Sequence, residues 1–200
     1  KTMANCIDLI NCPTRKDKQL DHFVISNKLK CSSSKVEDNI FDHKLGIFNI
    51  IENDVDSFLI SVPNPKNDGS NLDLYLVPKS NTKIKVDIIN NSPFIKIDTS
   101  FSAKIYSISS NSNYLDNDVL SSIATACDKY LESVISDYLY KTSSNFKSDL
   151  NGFGKYALSN FLTNSDFENF GWDTNYPNST FEVNVNTNID SSSLLTQVQS

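Results

Sequence analysis

Polar and apolar residues alternate with a two-residue period in several stretches of this chain, and recur every three to four residues in one long stretch. Ile95, Ile97, Thr99, Phe101, Ala103 and Ile105 fall on one face of an extended segment. Phe181, Val183, Val185, Thr187 and Ile189 do the same near the C-terminal end. Such alternation predicts strands with one face buried and the other wet. Lys83–Ile88 alternates charged with branched residues and reads the same way. Leu45–Ile51, Ser57–Val62 and Asp73–Val77 are rich in β-branched and aromatic residues and are predicted as further strands. Pro78 is expected to end the last of these or to mark an edge, because proline cannot donate to a ladder. Pro63–Ser70 and Asn90–Pro93 concentrate turn-forming residues. Gaps of turn length favour an antiparallel meander over crossover units.

The three-to-four-residue period belongs to Leu120, Ile123, Cys127, Tyr130, Leu131, Val134, Ile135 and Tyr138. These predict an amphipathic helix running to about Phe146, with Asp116 or Asn117 as its N-cap. Gly152–Phe161 predicts a second, shorter helix, and Asp166–Phe170 one more turn before Trp172. The N-terminal 33 residues read as a short helix or turn stopped by Pro13, a strand at His22–Ile25, and a linker-like Cys31–Lys35. The polar tail from Ser191 reads as fraying. The fold class is therefore α+β: a largely antiparallel sheet, with a long amphipathic helix and one or two shorter helices on one face.

Composition narrows the partners. A hydrophobic share of 38 %, with 12 Phe and 8 Tyr, supports a substantial core in 200 residues. The net charge of −6 and pI near 4.8 argue against an electrostatic nucleic-acid binder and against a polybasic membrane surface. No run approaches the ~18 apolar residues of a membrane span. The chain begins at Lys1 without an initiator Met, and reads as a piece of a longer protein.

Candidate chemistry is sparse. Cys6, Cys12, Cys31 and Cys127 match no zinc or redox spacing, and Cys127 sits on the helix's apolar face as a small core residue. Cys6 and Cys12 could face each other across a turn. His22 and His43 have no ligand partners in sequence, and no nucleophile elbow or calcium-loop spacing occurs. Asp116-Asn117-Asp118 resembles half of a cation loop but stands where a helix needs a cap and negative charge. These residues predict no catalytic site, no cofactor and no metal.

One motif stands apart. Ser148-Asp149-Leu150-Asn151-Gly152-Phe153-Gly154-Lys155-Tyr156 holds two of the five glycines, between two helical patterns. It lacks the spacing of a phosphate-binding loop and follows a helix rather than a strand. The residues predict a packed corner, with Trp172 as a core anchor.

From about Phe58 onward the chain resembles the C-terminal domain of the spore-germination receptor C-subunit family, the Ger(x)C lipoproteins. The Pro63-Asn64-Pro65 turn after Ile60-Ser61-Val62, the strand Ser80–Val86, the corner at Asp149–Lys155, and Trp172 and Tyr176 before Phe181–Ile189 carry the resemblance in their joint order. Lys155 stands where the family commonly has an acid, and Val86 replaces its proline. The resemblance implies that 34–200 form the C-terminal domain and 1–33 the end of a preceding domain or linker. It marks Asp149, Gly152, Phe153, Gly154 and Trp172 as structural motif residues. It implies a non-enzymatic subunit of a nutrient-germinant receptor, lipid-anchored upstream of Lys1 on the outer face of the inner spore membrane. Its partners would be the integral-membrane A and B subunits, with no nucleic acid. The alternative is an extracytoplasmic module that binds a small-molecule germinant.

Overall fold

The computed structural model describes residues 39–65, 69–108 and 116–189. The elements predicted before Asn39, with Cys6, Cys12, Cys31 and His22, lie outside these residues, as does the tail from Ser191. The described residues form an α+β fold on a four-stranded sheet in the order β1-β2-β3-β4. The strands are β1 (Phe58–Pro63), β2 (Asn71–Ile89), β3 (Ser92–Ile108) and β4 (Thr180–Ile189). β1, β2 and β3 form the antiparallel meander that the short gaps predict. β4 adds parallel to β3, pairing Ile95 with Phe181 and Ala103 with Ile189. A parallel partner requires a crossover connection. The long helix α2 (Asn117–Tyr140) and the short helical segments after it supply that crossover.

The alternation in β3 translates directly into burial. Ile95, Ile97, Thr99, Phe101 and Ala103 are all buried on the inner face. α2 lays its stripe against that face, chiefly over β4, burying Leu120, Ile123, Cys127, Leu131, Ile135 and Tyr138. Asp116 caps the helix, accepting from the Asp118 amide at 3.3 Å. The helix ends in a π-helical turn over Lys141–Asn145, so the continuous helical run reaches Asn145. The Asn90-Asn91 turn between β2 and β3 has positive φ at both residues (50° and 62°), the signature of a type I′ hairpin.

Two sequence expectations fail. The predicted strand Leu45–Ile51 lies in a helix, α1 (Asn39–Glu52). Its buried residues are Ile47, Ile50 and Ile51, which follow helical spacing. The β-branched content of a run this short does not fix its type, and packing against the sheet decides it. Likewise, Asp73–Val77 and Lys83–Ile88 are not two strands split at Pro78 but parts of one, the 19-residue β2. Pro78 pairs with Phe101, and register shifts follow between Pro78 and Ser80 and between Ser80 and Lys83. β1 reaches only to Leu76 on this strand, so Pro78 does mark a local edge, and its missing N–H faces the side that β1 has left.

The same irregular stretch anchors α1. Asn53, with φ 58°, ends the helix and accepts the Thr82 amide on Oδ1 at 2.6 Å. The Thr82 hydroxyl donates to the Ile50 carbonyl at 2.9 Å. Replacing Ile135, fully buried on α2, with Ala is expected to lower unfolding free energy by about 2–5 kcal/mol. Leu162→Ala, at a side chain 99 % exposed, is expected to change it by less than about 0.5 kcal/mol. Urea melts of both variants check this contrast.

Candidate functional site

The corner after α2 gathers the densest set of polar contacts described in the fold. The π-helical turn closes through the Phe146 amide on the Lys141 carbonyl, and Lys147 takes φ 49°, so the chain reverses within a few residues. Asp149 then faces back over the start of α3 (Gly154–Ala157). Its Oδ1 accepts the Phe153 amide at 2.8 Å. Its Oδ2 accepts the Gly154 amide at 2.8 Å and Trp172 Nε1–H at 2.9 Å. Burial pushes the Asp149 carboxyl above its ordinary range, and the Gly154, Phe153 and Trp172 donors pull it back toward the charged form. The carboxylate thus ties the corner to a side chain 23 residues further on.

The two glycines act differently. Gly152 has φ +64° with open space where a Cβ would project, so its demand is conformational. Gly154 has no such backbone demand, but a Cβ there would lie 3.0 Å from Trp172 Nε1, so its demand is close approach. Phe153 is fully buried and stacks on Tyr176 with ring centroids 6.5 Å apart. Trp172 is 4 % exposed and sits among Phe167, Phe170 and Tyr176. Phe167 and Phe170 belong to α4 (Asn164–Phe170); Trp172 opens α5 (Trp172–Asn175), which leads into β4.

A second layer of contacts was not singled out from sequence. Tyr138 Oη on α2 donates to Asn151 Oδ1 at 3.0 Å, and Asn151 Nδ2 donates to Glu52 Oε1 at 3.1 Å. The corner thereby holds the end of α1. Lys155 Nζ lies 4.0 Å from Glu52 Oε2. Thr142 spends its one hydroxyl proton on the Leu139 carbonyl, so Tyr176 Oη donates in the 3.0 Å contact with Thr142. Burial raises the phenol pKa values of Tyr138 and Tyr176, and nearby Asp149 adds to both shifts. A period-based reading has no signal for such contacts, although the short polar side chain of Asn151 between Asp149 and Gly152 marks a place where backbone and side chain compete for bonds.

Chemistry elsewhere is limited. Burial pushes the Cys127 thiol up to about 11, which makes it a poor nucleophile at neutral pH. His43 lies on α1. Among the described residues no three His, Cys, Asp or Glu side chains cluster as a metal site. A crevice of about 50 Å³ lies between the end of α1 and the irregular stretch of β2, lined in part by Asn53, Val55, Pro78 and Thr82. Ligand pockets run to roughly 300–1,000 Å³. No helix among the described residues is long and apolar enough to cross a membrane.

The arrangement can therefore lock a corner and a helix end; the described groups are not aimed into an open cleft. Comparison with known proteins places it. The family model "Spore germination B3/ GerAC like, C-terminal" matches residues 14–193. The chain belongs to this spore-germination family. No curated protein matches it. The crystal structure of the GerBC protein superposes with a TM-score of 0.57 at 16 % identity, covering 73 % of this chain and 44 % of that one. That likeness concerns the fold, and the chain spans less than half the length of GerBC. In this germination-family domain, Asp149 and Trp172 meet through the one hydrogen bond described above.

Asp149→Ala is expected to cost about 3–5 kcal/mol, because three N–H donors lose their acceptor. Asp149→Asn is expected to cost about 2–3 kcal/mol, since one amide oxygen cannot serve both sides. Gly152→Ala should cost about 1–2 kcal/mol for left-handed backbone. Gly154→Ala should instead displace the indole, so red-shifted Trp172 fluorescence in that variant, and not in Gly152→Ala, separates the two roles.

Proposed function

We propose that this domain belongs to the C subunit of a bacterial spore nutrient-germinant receptor and works without catalysis, through protein–protein contacts. In this reading it is held on the outer face of the inner spore membrane by a lipid anchor upstream of Lys1, and its partners are the two integral-membrane subunits. Membership in the spore germination B3/GerAC-like family over residues 14–193 carries the proposal. The fold shared with GerBC supports it. So does the use of the best-connected carboxylate, Asp149, in bonds internal to the domain. Within the domain we assign Asp149, Gly152, Phe153, Gly154 and Trp172 to holding the corner. The alternative, a germinant-binding module, requires a concave site, and the described crevice of about 50 Å³ is well below that size.

Co-expression of the full-length protein with the two membrane subunits tests this reading. Recovery of both on a tag carried by this protein is the expected result, and recovery of neither would overturn it. Thermal melts with amino acids and sugars are expected to show no rise in Tm; a rise would favour the binding module, since a ligand of the folded state stabilises it.

A further inference from the structure

The two edges of the sheet are finished in opposite ways. At β4, α2 lies alongside, and Glu132 Oε1 accepts the outward amide of Val185 at 3.1 Å. One helical turn earlier, Asp128 lies against Thr187 of the same edge; burial raises its carboxyl above the ordinary range, and the Thr187 hydroxyl and amide pull it back toward the charged form. Carboxylates lined along an edge repel an incoming strand, a recognised way to keep an edge unpaired. Among the described residues β1 has no such guard. Its six residues, Phe-Leu-Ile-Ser-Val-Pro, carry no charge, and β1 is the terminal strand of the sheet.

The hairpin bond from the Asn64 amide to the Ser70 carbonyl, at 3.0 Å, fixes the phase of the β1–β2 ladder. Hydrogen-bonded pairs alternate. Val62, Ile60 and Phe58 therefore bond to β2, while Leu59 and Ser61 turn their amides and carbonyls outward. Pro63 falls on the outward phase too, where its missing N–H costs the sheet nothing. Beside this edge on the outer face, Leu59 is 56 % exposed and pairs with Tyr75; Tyr75 and Val77 are also exposed. Acidic groups frame it. Asp54 and Asp56 precede β1 and are exposed, and Asp73 pairs with Ser61. None of the three forms an ion pair among the described residues.

We propose that the edge of β1, which the described residues leave unpaired, is a docking site for an extended segment of a partner protein, which adds as a fifth strand by backbone bonds to Leu59 and Ser61. Its alternate side chains are apolar, to lie over Leu59, Tyr75 and Val77, and its flank carries Lys or Arg to meet Asp54, Asp56 and Asp73. Strand addition of this kind takes its affinity from main-chain bonds and its selectivity from alternate side chains. A second copy of the chain fits less well. Two outward residues on each side give a contact far smaller than the ~1,000 Å² that stable association of two globular bodies requires.

The proposal rests on the receptor-subunit reading, and the test separates the two. Full-length protein, wild type or variant, is co-expressed with the two membrane subunits, and their recovery on its tag is measured. Ser61→Pro removes one outward donor without touching the β1–β2 ladder; Leu59→Lys places a charge on the side-chain platform. Each is expected to reduce recovery at least ten-fold, and Asp54→Asn/Asp56→Asn to reduce it several-fold with a weaker dependence on salt. Circular dichroism checks folding, and if Ser61→Pro does not fold, Leu59→Lys decides. Wild-type recovery by the folded variants would overturn the docking site and leave the receptor reading intact. Failure of the wild type to retain either subunit would overturn both. A wild-type dimer that Ser61→Pro converts to monomer would overturn the choice of occupant, because the edge would then be covered by a second copy.

Discussion

One carboxylate fixes the path of the chain where it is hardest to fix. Between α2 and β4 the backbone must cross the sheet through several short helical segments, none of which is long enough to hold its own geometry. Asp149 supplies what they lack. By collecting two backbone amides and an indole N–H, it fixes the start of α3 relative to the start of α5. The aromatic cluster around Trp172 then fills the space this bond defines. Without that acceptor, three donors would be left in a partly dry corner, and the crossover would lose its reference point.

The corner also works outward. Asn151 carries its influence to Glu52 on one side and Tyr138 on the other, so α1, α2 and the crossover share a common junction. From the opposite end, Thr82 and Asn53 fasten α1 to the irregular stretch of β2. The helix is thus held at its C-terminal end by a small number of polar bonds, and along its length by Ile47, Ile50 and Ile51. Polar bonds of this kind contribute modestly when made and cost more when left unmade.

Much of the fold was legible in the sequence because period is a strong signal over long segments. β3 and β4 alternate through buried and open positions, and the stripe on α2 contains most of its buried set. Legibility failed where period and length conflict. Leu45–Ile51 is seven residues of mixed character, too short to separate strand from helix without its packing partners. Pro78 looks like a terminator because a ladder needs its amide, and only the pairing shows that β1 stops at Leu76 and leaves that side of β2 open. The direction of β4 was equally hidden: alternation says that a strand has a wet face, not which way it runs. Around the corner, sequence displays Asp149, the two glycines and Trp172, but a bond spanning 23 residues leaves no local trace. Asn151, Glu52 and Thr142 carry no recognisable spacing, and although Tyr138 and Tyr176 stand out in the sequence, the hydrogen bonds they make here do not.

The parallel placement of β4 has a temporal side. Lys96 on β3 and its partner Glu182 are 86 positions apart, joined by a 2.6 Å contact. The first three strands are contiguous in sequence and can assemble before the rest of the polypeptide joins them, leaving Ile95, Ile97 and Phe101 with only part of their cover. The fourth strand emerges near the end of the segment described, and only then does the hydrophobic face close. Such distant pairing makes closure slow compared with local hairpin formation. Until then the folding chain displays a greasy, incomplete sheet, the state in which a chaperone would find its natural client.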